Sequence, residues 1–257
     1  MKISVITPTK NREQKLRAMY RCFAAQTWPD RELLILDDSP APSPFFSALR
    51  DPLVTYRHLT QPLALGEKRN RLVAEARGEL IAHFDDDDLY APTYLEQMAA
   101  LRRDADFFTL SGWFAWVEKT GAYWYWDTEQ ILPYRYAVSG KEAVPQIRAA
   151  TQDPKERGIE LNLWGYGFSY LYRKAVWEKN HFPAIGFGED YVFARKAAEL
   201  KFTRAFAPDH RGIALHILHG TNTSGIYPQY ALPRFAVDAL FGDWLAPLMP
   251  GAAPGAK

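Results

Sequence analysis

Leu80-Ile81-Ala82-His83-Phe84-Asp85-Asp86-Asp87-Asp88-Leu89-Tyr90-Ala91-Pro92 is a short apolar run that empties into four consecutive aspartates. An apolar run of this length with a turn behind it reads as a strand buried on both faces. In an open parallel sheet the carboxyl ends of the strands line the ligand crevice, so the carboxylates are delivered to that edge. Side-by-side carboxylates repel, and a divalent cation, with its preference for oxygen ligands, is the natural way to hold them together. The bland alternative is a solvated acidic turn whose last aspartate, Asp88, caps a helix starting near Pro92. Capping accounts for one aspartate and leaves three.

Upstream, residues 3–7 read as a buried strand closed by Pro8. Leu16, Met19, Tyr20 and Phe23 then put one apolar stripe on a helix over residues 12–26. Residues 32–36 form a second strand ending in Asp37-Asp38-Ser39, and Val54–His58 a third. Residues 66–77 predict a helix with Leu72, Val73 and Ala76 inward, stopped by Gly78. Strands alternating with helices predict a mostly parallel α/β sheet joined by right-handed crossovers. Asp37, Asp38 and the run from Asp85 to Asp88 then converge at one edge. No GxGxxG and no GxxxxGK[ST] occurs, which excludes the dinucleotide fingerprint and the P-loop.

Downstream the character changes. Residues 107–126 carry Trp113, Phe114, Trp116, Tyr123, Trp124, Tyr125 and Trp126 around the turn-like Lys119-Thr120-Gly121, which predicts a hairpin. Most of these rings are expected to pack in the core, with one or two left exposed. Residues 163–172 read as a Gly-rich strand or loop and residues 173–180 as a short helix. Gly186-Phe187-Gly188-Glu189-Asp190 opens another helix with Phe193, Ala197 and Leu200 on one face. Residues 213–218 form a late strand that includes His216, expected to be structural, and lead into His219-Gly220-Thr221-Asn222.

The order of elements divides the chain into a ligand-binding half (1–110), a smaller mixed half (111–230), and an amphipathic helix with a disordered tail (231–257). In that last part Val237, Leu240, Phe241, Trp244 and Leu245 share a face. Such a face suits docking on the domain, a homodimer contact or a peripheral membrane contact. Membrane-surface helices carry Lys/Arg on the polar side, and here the charges are Asp238 and Asp243 after Arg234, so docking is the expectation.

Composition narrows the classes further. In 257 residues, 47% hydrophobic and 14% aromatic content indicates a packed core, not a disordered chain. Thirty-one Lys+Arg against 30 Asp+Glu give a net charge of +1, which argues against a bulk electrostatic nucleic-acid binder. The one cysteine, Cys22, permits no intrachain disulfide and reads as a buried thiol in a reducing compartment. Met1-Lys2 runs straight into Ile3 with no secretory signal, and no stretch has the length of a membrane span. A soluble cytoplasmic protein is expected.

Taken in order, these motifs resemble glycosyltransferase family 2, inverting enzymes of the GT-A fold. Ser4-Val5-Ile6-Thr7-Pro8-Thr9-Lys10-Asn11-Arg12 is similar to the family's first strand and nucleotide loop. Gln26-Thr27-Trp28-Pro29-Asp30 and Leu34-Ile35-Leu36-Asp37-Asp38-Ser39 resemble its second unit. Lys68-Arg69-Asn70 and Ala76-Arg77-Gly78-Glu79-Leu80-Ile81 resemble the approach to the family's DXD site, which is Asp85-Asp86-Asp87-Asp88. Gly188-Glu189-Asp190 is similar to the acidic motif that supplies its catalytic base. The resemblance covers roughly residues 2–224, and the ordered combination is far more specific than any single motif.

The resemblance implies a nucleotide-sugar donor, a hydroxyl acceptor and a divalent cation, manganese or magnesium. Asp38 would accept a hydrogen bond from the base of the nucleotide, with Pro8, Thr9, Lys10, Asn11 and Asp37 around it and Arg69 reaching for the diphosphate. An exposed helical arginine is the competing reading of Arg69. Asp87 would ligate the metal, Asp85 and Asp86 would share ribose and supporting roles, and His219 would close the coordination. Asp190 would be the base, with Glu189 as its competitor; charges at a helix N-terminus are their structural alternative. An exposed ring of the hairpin would stack on a sugar. Lys10 departs from the pattern, standing where many relatives carry an aromatic that stacks on the base. Uridine is the donor base by resemblance, and acceptors in surface polysaccharide or glycolipid assembly follow by analogy. Two other functions compete: a sugar-phosphate nucleotidyltransferase, whose Gly-rich basic loop is replaced here by Pro8-Thr9-Lys10-Asn11, and a nucleotide-sugar-binding module without turnover.

Overall fold

The computed structural model describes residues 1–130, 132–149, 159–222 and 224–249. Four strands form its first half: β1 (Ile3–Thr9), β2 (Arg31–Asp37), β3 (Val54–His58) and β4 (Leu80–His83), all parallel, in the spatial order β4-β1-β2-β3. Side chains alternate between two cores. Val5, Leu33, Ile35, Leu80 and Ala82 face one; Ile6, Leu34, Leu36 and Ile81 face the other. Burial on both faces is why these strands carry continuous apolar runs. Helix α1 (Glu13–Ala24) covers the first face with Leu16, Met19, Cys22 and Phe23, while Tyr20 is half-buried beneath Phe45 and Phe46. Helix α3 (Leu65–Glu75) covers the second with Leu72 and Val73; the short α2 (Pro44–Ala48) lies between β2 and β3. The buried thiol of Cys22 accepts a hydrogen bond from the Tyr90 N–H, a structural position.

Past the aspartates come a two-residue strand β5 (Leu89–Tyr90) and helix α4 (Tyr94–Arg102). The hairpin is present as β6 (Phe107–Val117) and β7 (Ala122–Asp127). All seven hairpin aromatics are buried, so the expectation of an exposed ring there fails: both faces of the hairpin are covered. Exposed rings among the described residues lie elsewhere, at Tyr134, Phe187, Phe206, Tyr230 and Phe235. Strands β8 (Tyr134–Ala137) and β9 (Gln146–Ala149) form a separate two-stranded sheet. Residues 163–172, expected as strand or loop, instead close helix α5 (Ile159–Trp164), pass through one 3-10 turn (Gly167–Ser169) and enter strand β10 (Leu171–Arg173). The Tyr170 hydroxyl ties that passage by donating to the Trp164 carbonyl.

Helices α6 (Lys174–Lys179) and α7 (Glu189–Glu199) follow, then β11 (Arg204–Pro208), β12 (Ala214–Leu218), β13 (Tyr230–Leu232) and α8 (Arg234–Phe241). Phe193 and Ala197 point inward on α7 as expected; Leu200 does not, because the helix ends at Glu199 and turns it to solvent. The full sheet runs β13-β7-β6-β10-β4-β1-β2-β3, with β11 and β12 both paired to the long β6. Strand β10 is antiparallel to β4, and β6 is antiparallel to β10, so β6 regains the direction of β4. Because β12 pairs parallel with β6, its carboxyl end points the same way as that of β4. Two reversals thus bring His219 to the edge that holds the aspartates.

The apolar face of the last helix docks on the domain: Val237, Phe241 and Leu245 are buried in the first core, with Phe241 edge-on to Phe114. The expected tail from Pro250 lies outside the described residues.

Candidate active site

The sheet register aligns Thr9 with Asp37 and Ile6 with His83, so β1 and β2 end together and β4 ends earlier, which brings the aspartates that follow it alongside Thr9. The aspartates past β4 alternate: Asp86 and Asp88 are buried, while Asp85 and Asp87 are half-buried. Each is held by a different element. The Asp85 N–H donates to the Tyr90 hydroxyl at 2.9 Å, and that hydroxyl donates to the Phe168 carbonyl at 3.0 Å. Asp86 accepts from Thr9 Oγ1 at 2.5 Å and Arg12 Nη1 at 2.7 Å. Asp87 Oδ2 lies 2.7 Å from Arg12 Nη1 and 2.8 Å from His219 Nε2. Asp88 accepts from the Ile217 N–H at 2.8 Å and faces His216 Nδ1 at 2.9 Å. Asp88 therefore caps no helix. Thr93 precedes α4 without a side-chain cap bond, and Asp88 is spent on fastening the turn to β12.

The crowding of carboxylates is visible in their protonation. Burial pushes Asp85 up to about 8, with Arg69 opposing and its three acidic neighbours adding to the rise. Burial raises Asp86 as well. Burial also works against the charge of Asp87, but the His219 hydrogen bond and Arg12 outweigh it and its pKa falls. Asp87 is thus the member of the run whose charge its surroundings favour, and it meets the His219 imidazole as Asp88 meets that of His216. The His219 ring is oriented by Thr221, whose hydroxyl Oγ1 lies 2.9 Å from Nδ1 and can accept its proton, which leaves Nε2 facing Asp87.

The nucleotide-side candidates converge less evenly. Asp38 is buried; its carboxylate pairs with Lys68 Nζ and accepts the Leu63 N–H at 2.9 Å. Lys68 also donates to the Thr9 carbonyl at 3.1 Å, so it stitches the ends of β1 and β2 together. Asp37 turns its carboxylate to the Ser39 N–H (2.9 Å) and the Tyr56 hydroxyl (2.7 Å), away from the other candidates. Pro8 is buried within β1, Lys10 is exposed, and Asn11 takes a φ of 57° while its N–H donates to Ser39 Oγ at 2.7 Å.

Opposite the aspartates stands the second acidic pair, at the start of α7. Arg69 is buried, not exposed: Nη1 lies 3.1 Å from Glu189 Oε1 and Nη2 3.5 Å from Asp85 Oδ1. One guanidinium thereby links the two acidic motifs. Its Nε and Nη1 lack a well-formed hydrogen bond. Glu189 is 2% exposed and committed to that ion pair. Asp190 is half-buried, and its oxygens accept the Gly167 N–H (2.9 Å) and the Tyr191 N–H (2.7 Å). Burial raises Asp190 to about 6, Arg69 opposing. A Cβ at Gly167 would sit 2.8 Å from Arg69 Nη1 and 2.9 Å from Asp190 Cβ, so only glycine lets this turn press between them.

Two residues that hold the site together had been given no role from sequence, Arg12 and Lys68. A signal existed for Lys68: with Arg69 it is spaced i, i+3 and i, i+4 from Leu72 and Val73, the buried face of α3. A cleft of about 680 Å³ between α4 and β11, lined among others by Leu101, Arg103, Phe206 and Arg211, contains none of these candidates. Among the described residues no three His, Cys, Asp or Glu side chains already form a metal cage.

An α/β sheet gathering a DXD-type carboxylate turn at its carboxyl edge, faced by a second acidic pair, defines the GT-A class of architecture. Solved structures agree on the fold. TarS residues 1–349 of S. aureus, in complex with UDP-GlcNAc, superposes with a TM-score of 0.60 at 20% identity, covering 86% of this chain and 60% of that one. The mannosyltransferase PcManGT of Pyrobaculum calidifontis, in complex with GDP-Man and Mn2+, gives 0.56 at 16% identity, covering 92% and 59%. Residues 4–169 match the model of glycosyl transferase family 2, and the chain belongs to that family. Curated relatives include the putative glycosyltransferase EpsH of Bacillus subtilis, 27% identical over 210 residues (76% of this chain, 55% of EpsH). Another is WfgD of Escherichia coli, a UDP-Glc:alpha-D-GlcNAc-diphosphoundecaprenol beta-1,3-glucosyltransferase, 30% identical over 101 residues (38% and 40%). The chain spans about half the length of such relatives, or less.

Proposed function

We propose that this chain is an inverting, metal-dependent glycosyltransferase that moves a sugar from a nucleoside diphosphate, UDP by resemblance, to a hydroxyl of a bacterial surface glycan or glycolipid. The observation that carries the reading is the meeting of Asp87 and His219 at the sheet edge, joined through Asp85 and Arg69 to Glu189 and its neighbour Asp190. The donor set suits a divalent cation: one carboxylate whose charge is favoured and one imidazole nitrogen, beside carboxylates whose repulsion a cation would relieve. Asp87 and His219 would hold the ion, with Asp85 alongside. When bound, it supplies charge neutralisation of the departing diphosphate.

The chain's own residues do the rest. Asp38 takes the base on a lone pair left free by Lys68 and Leu63, next to Pro8 and Thr9. Arg69, held by Glu189 and reaching with Nη2 to 3.5 Å from Asp85, brings its charge to the diphosphate. Asp190 removes the proton from the acceptor hydroxyl as that oxygen attacks the anomeric carbon. The bond to the diphosphate breaks on the opposite face and its electron pair leaves with the phosphate. Asp190 suits the base because it is half-buried and, among the described residues, in no ion pair, with a pKa near the working range. Glu189 is locked to Arg69 and positions it.

Asp87→Ala tests the reading. Calorimetry with manganese and UDP should show metal-dependent binding in the wild type and none in the variant, both folded. Unchanged affinity in the variant would remove Asp87 from the metal site.

A further inference from the structure

We infer that Arg12 is a built-in stand-in for the divalent cation, holding Asp86 and Asp87 in the metal-free protein and giving up Asp87 when the ion binds. The inference rests on the reading of Asp87 and His219 as ligands. A single nitrogen, Nη1, lies 2.7 Å from Asp86 Oδ1 and 2.7 Å from Asp87 Oδ2. That same Oδ2 is the atom 2.8 Å from His219 Nε2. A guanidinium and a metal ion would therefore compete for one carboxylate oxygen, and two cations crowded there repel.

The start of α1 does not account for the placement of the Arg12 side chain. Arg12 precedes α1 as its N-cap, yet its side chain makes no cap bond. A helix N-terminus is also the end where a cation is disfavoured. The carboxylates, by contrast, need it. The side chains of Asp86 and Asp87 are only 4% and 9% exposed, and without a counter-charge they would be buried anions. The Arg12 side chain is 31% exposed, so it lies at the mouth of the cluster with solvent to move into. Lys68 and Arg69, at 7% and 3%, have no such path. Of these three cations, Arg12 is the one placed to leave.

A stand-in differs from a fixed support in the sign of its effect on metal affinity. The test is a manganese titration by calorimetry, without nucleotide, on the full chain as wild type, Arg12→Gln, Arg12→Ala and Asp87→Ala, with melting temperatures measured in chelator and in excess manganese. Both Arg12 variants should melt lower than wild type in chelator, gain more from manganese, and bind the ion roughly tenfold more tightly. Unchanged or weaker manganese binding in the two variants, with wild type still binding through Asp87, would overturn the stand-in and make Arg12 a support. If wild type binds no better than Asp87→Ala, the ligand assignment itself falls and takes the inference with it.

Discussion

Glu189 and Asp190 are sequence neighbours with different surroundings, one in an ion pair with Arg69 and one bonded to backbone N–H groups, and under the proposed function the first positions and the second takes the proton. Asp190→Asn keeps the shape of the side chain but cannot accept a proton, so donor affinity should stay close to wild type while turnover falls by roughly 10²–10⁴. Glu189→Gln instead loosens Arg69 and should weaken donor binding as well; a dead Glu189→Gln beside an active Asp190→Asn would reverse the assignment. The pH profile carries a second check. The base must be anionic, and burial lifts Asp190 from 3.8 to about 6, so turnover should rise with pH through about 6 in the wild type. The same shift has the opposite sign for stability: a carboxyl raised by folding contributes below about pH 4 and loses that contribution as pH climbs through about 6. At this scale the anionic half of the site was legible, because carboxylates at strand ends and a helix start advertise themselves. The cations were not. Arg12 and Lys68 neutralise aspartates 74 and 30 residues away, and only the converging loops show which pairs form.

Elements were legible where one pattern dominated. The parallel strands β1, β2 and β4 followed from apolar runs buried on both faces, and α8 from a single apolar face. Residues 163–172 were misread because glycine and aromatics fit a strand, a loop or a packed turn equally well, and only contacts with Arg69 and Asp190 select the turn. Two element contacts give predictions. A Cβ on Gly66, in the first turn of α3, would lie 1.8 Å from the backbone oxygen of Pro183 and 3.4 Å from Glu189 Cβ. Backbone cannot yield cheaply there, so Gly66→Ala should displace the loop that leads into α7 and disturb both Glu189 and Asp190. Turnover should fall by at least tenfold, as a misplacement of about 1 Å can cost 10²-fold, while circular dichroism stays native; wild-type turnover would mean the loop is not what places the base. Helix α8 gives the other. Phe241 is 2% exposed against Phe114, and Phe241→Ala should cost about 3–5 kcal/mol in thermal or denaturant unfolding. Truncation after Arg234 should lower the melting temperature for the same reason. Vesicle binding that vanishes on truncation, with the melting temperature unchanged, would instead assign the helix to a membrane surface.

At the scale of the molecule, one sheet edge collects charge from elements spread between Thr9 and His219, and this ties ligand binding to global stability. The strands that end there run through both cores, so a ligand bridging their ends has to be lost before the sheet can open. A ligand that binds only the folded state stabilises by RT ln(1 + [L]/Kd), about 2.7 kcal/mol at a hundredfold excess over Kd. For a chain of this size that corresponds to a rise in melting temperature of roughly 5–10 °C. A panel of nucleoside diphosphates and nucleotide sugars, scanned with manganese and again with chelator, should therefore separate one base from the others, with UDP expected to lead. The shift should depend on metal and disappear in Asp87→Ala, because Asp87 and His219 would hold the ion against the diphosphate. Adding the sugar should raise it further only when the sugar fits the space before Asp190. A shift of equal size with and without metal would place the nucleotide elsewhere on the sheet edge. If a guanosine or thymidine donor leads the panel, the Asp38 pocket reads a base other than uracil, and the exposed Lys10, next to the end of β1, is the first residue to exchange.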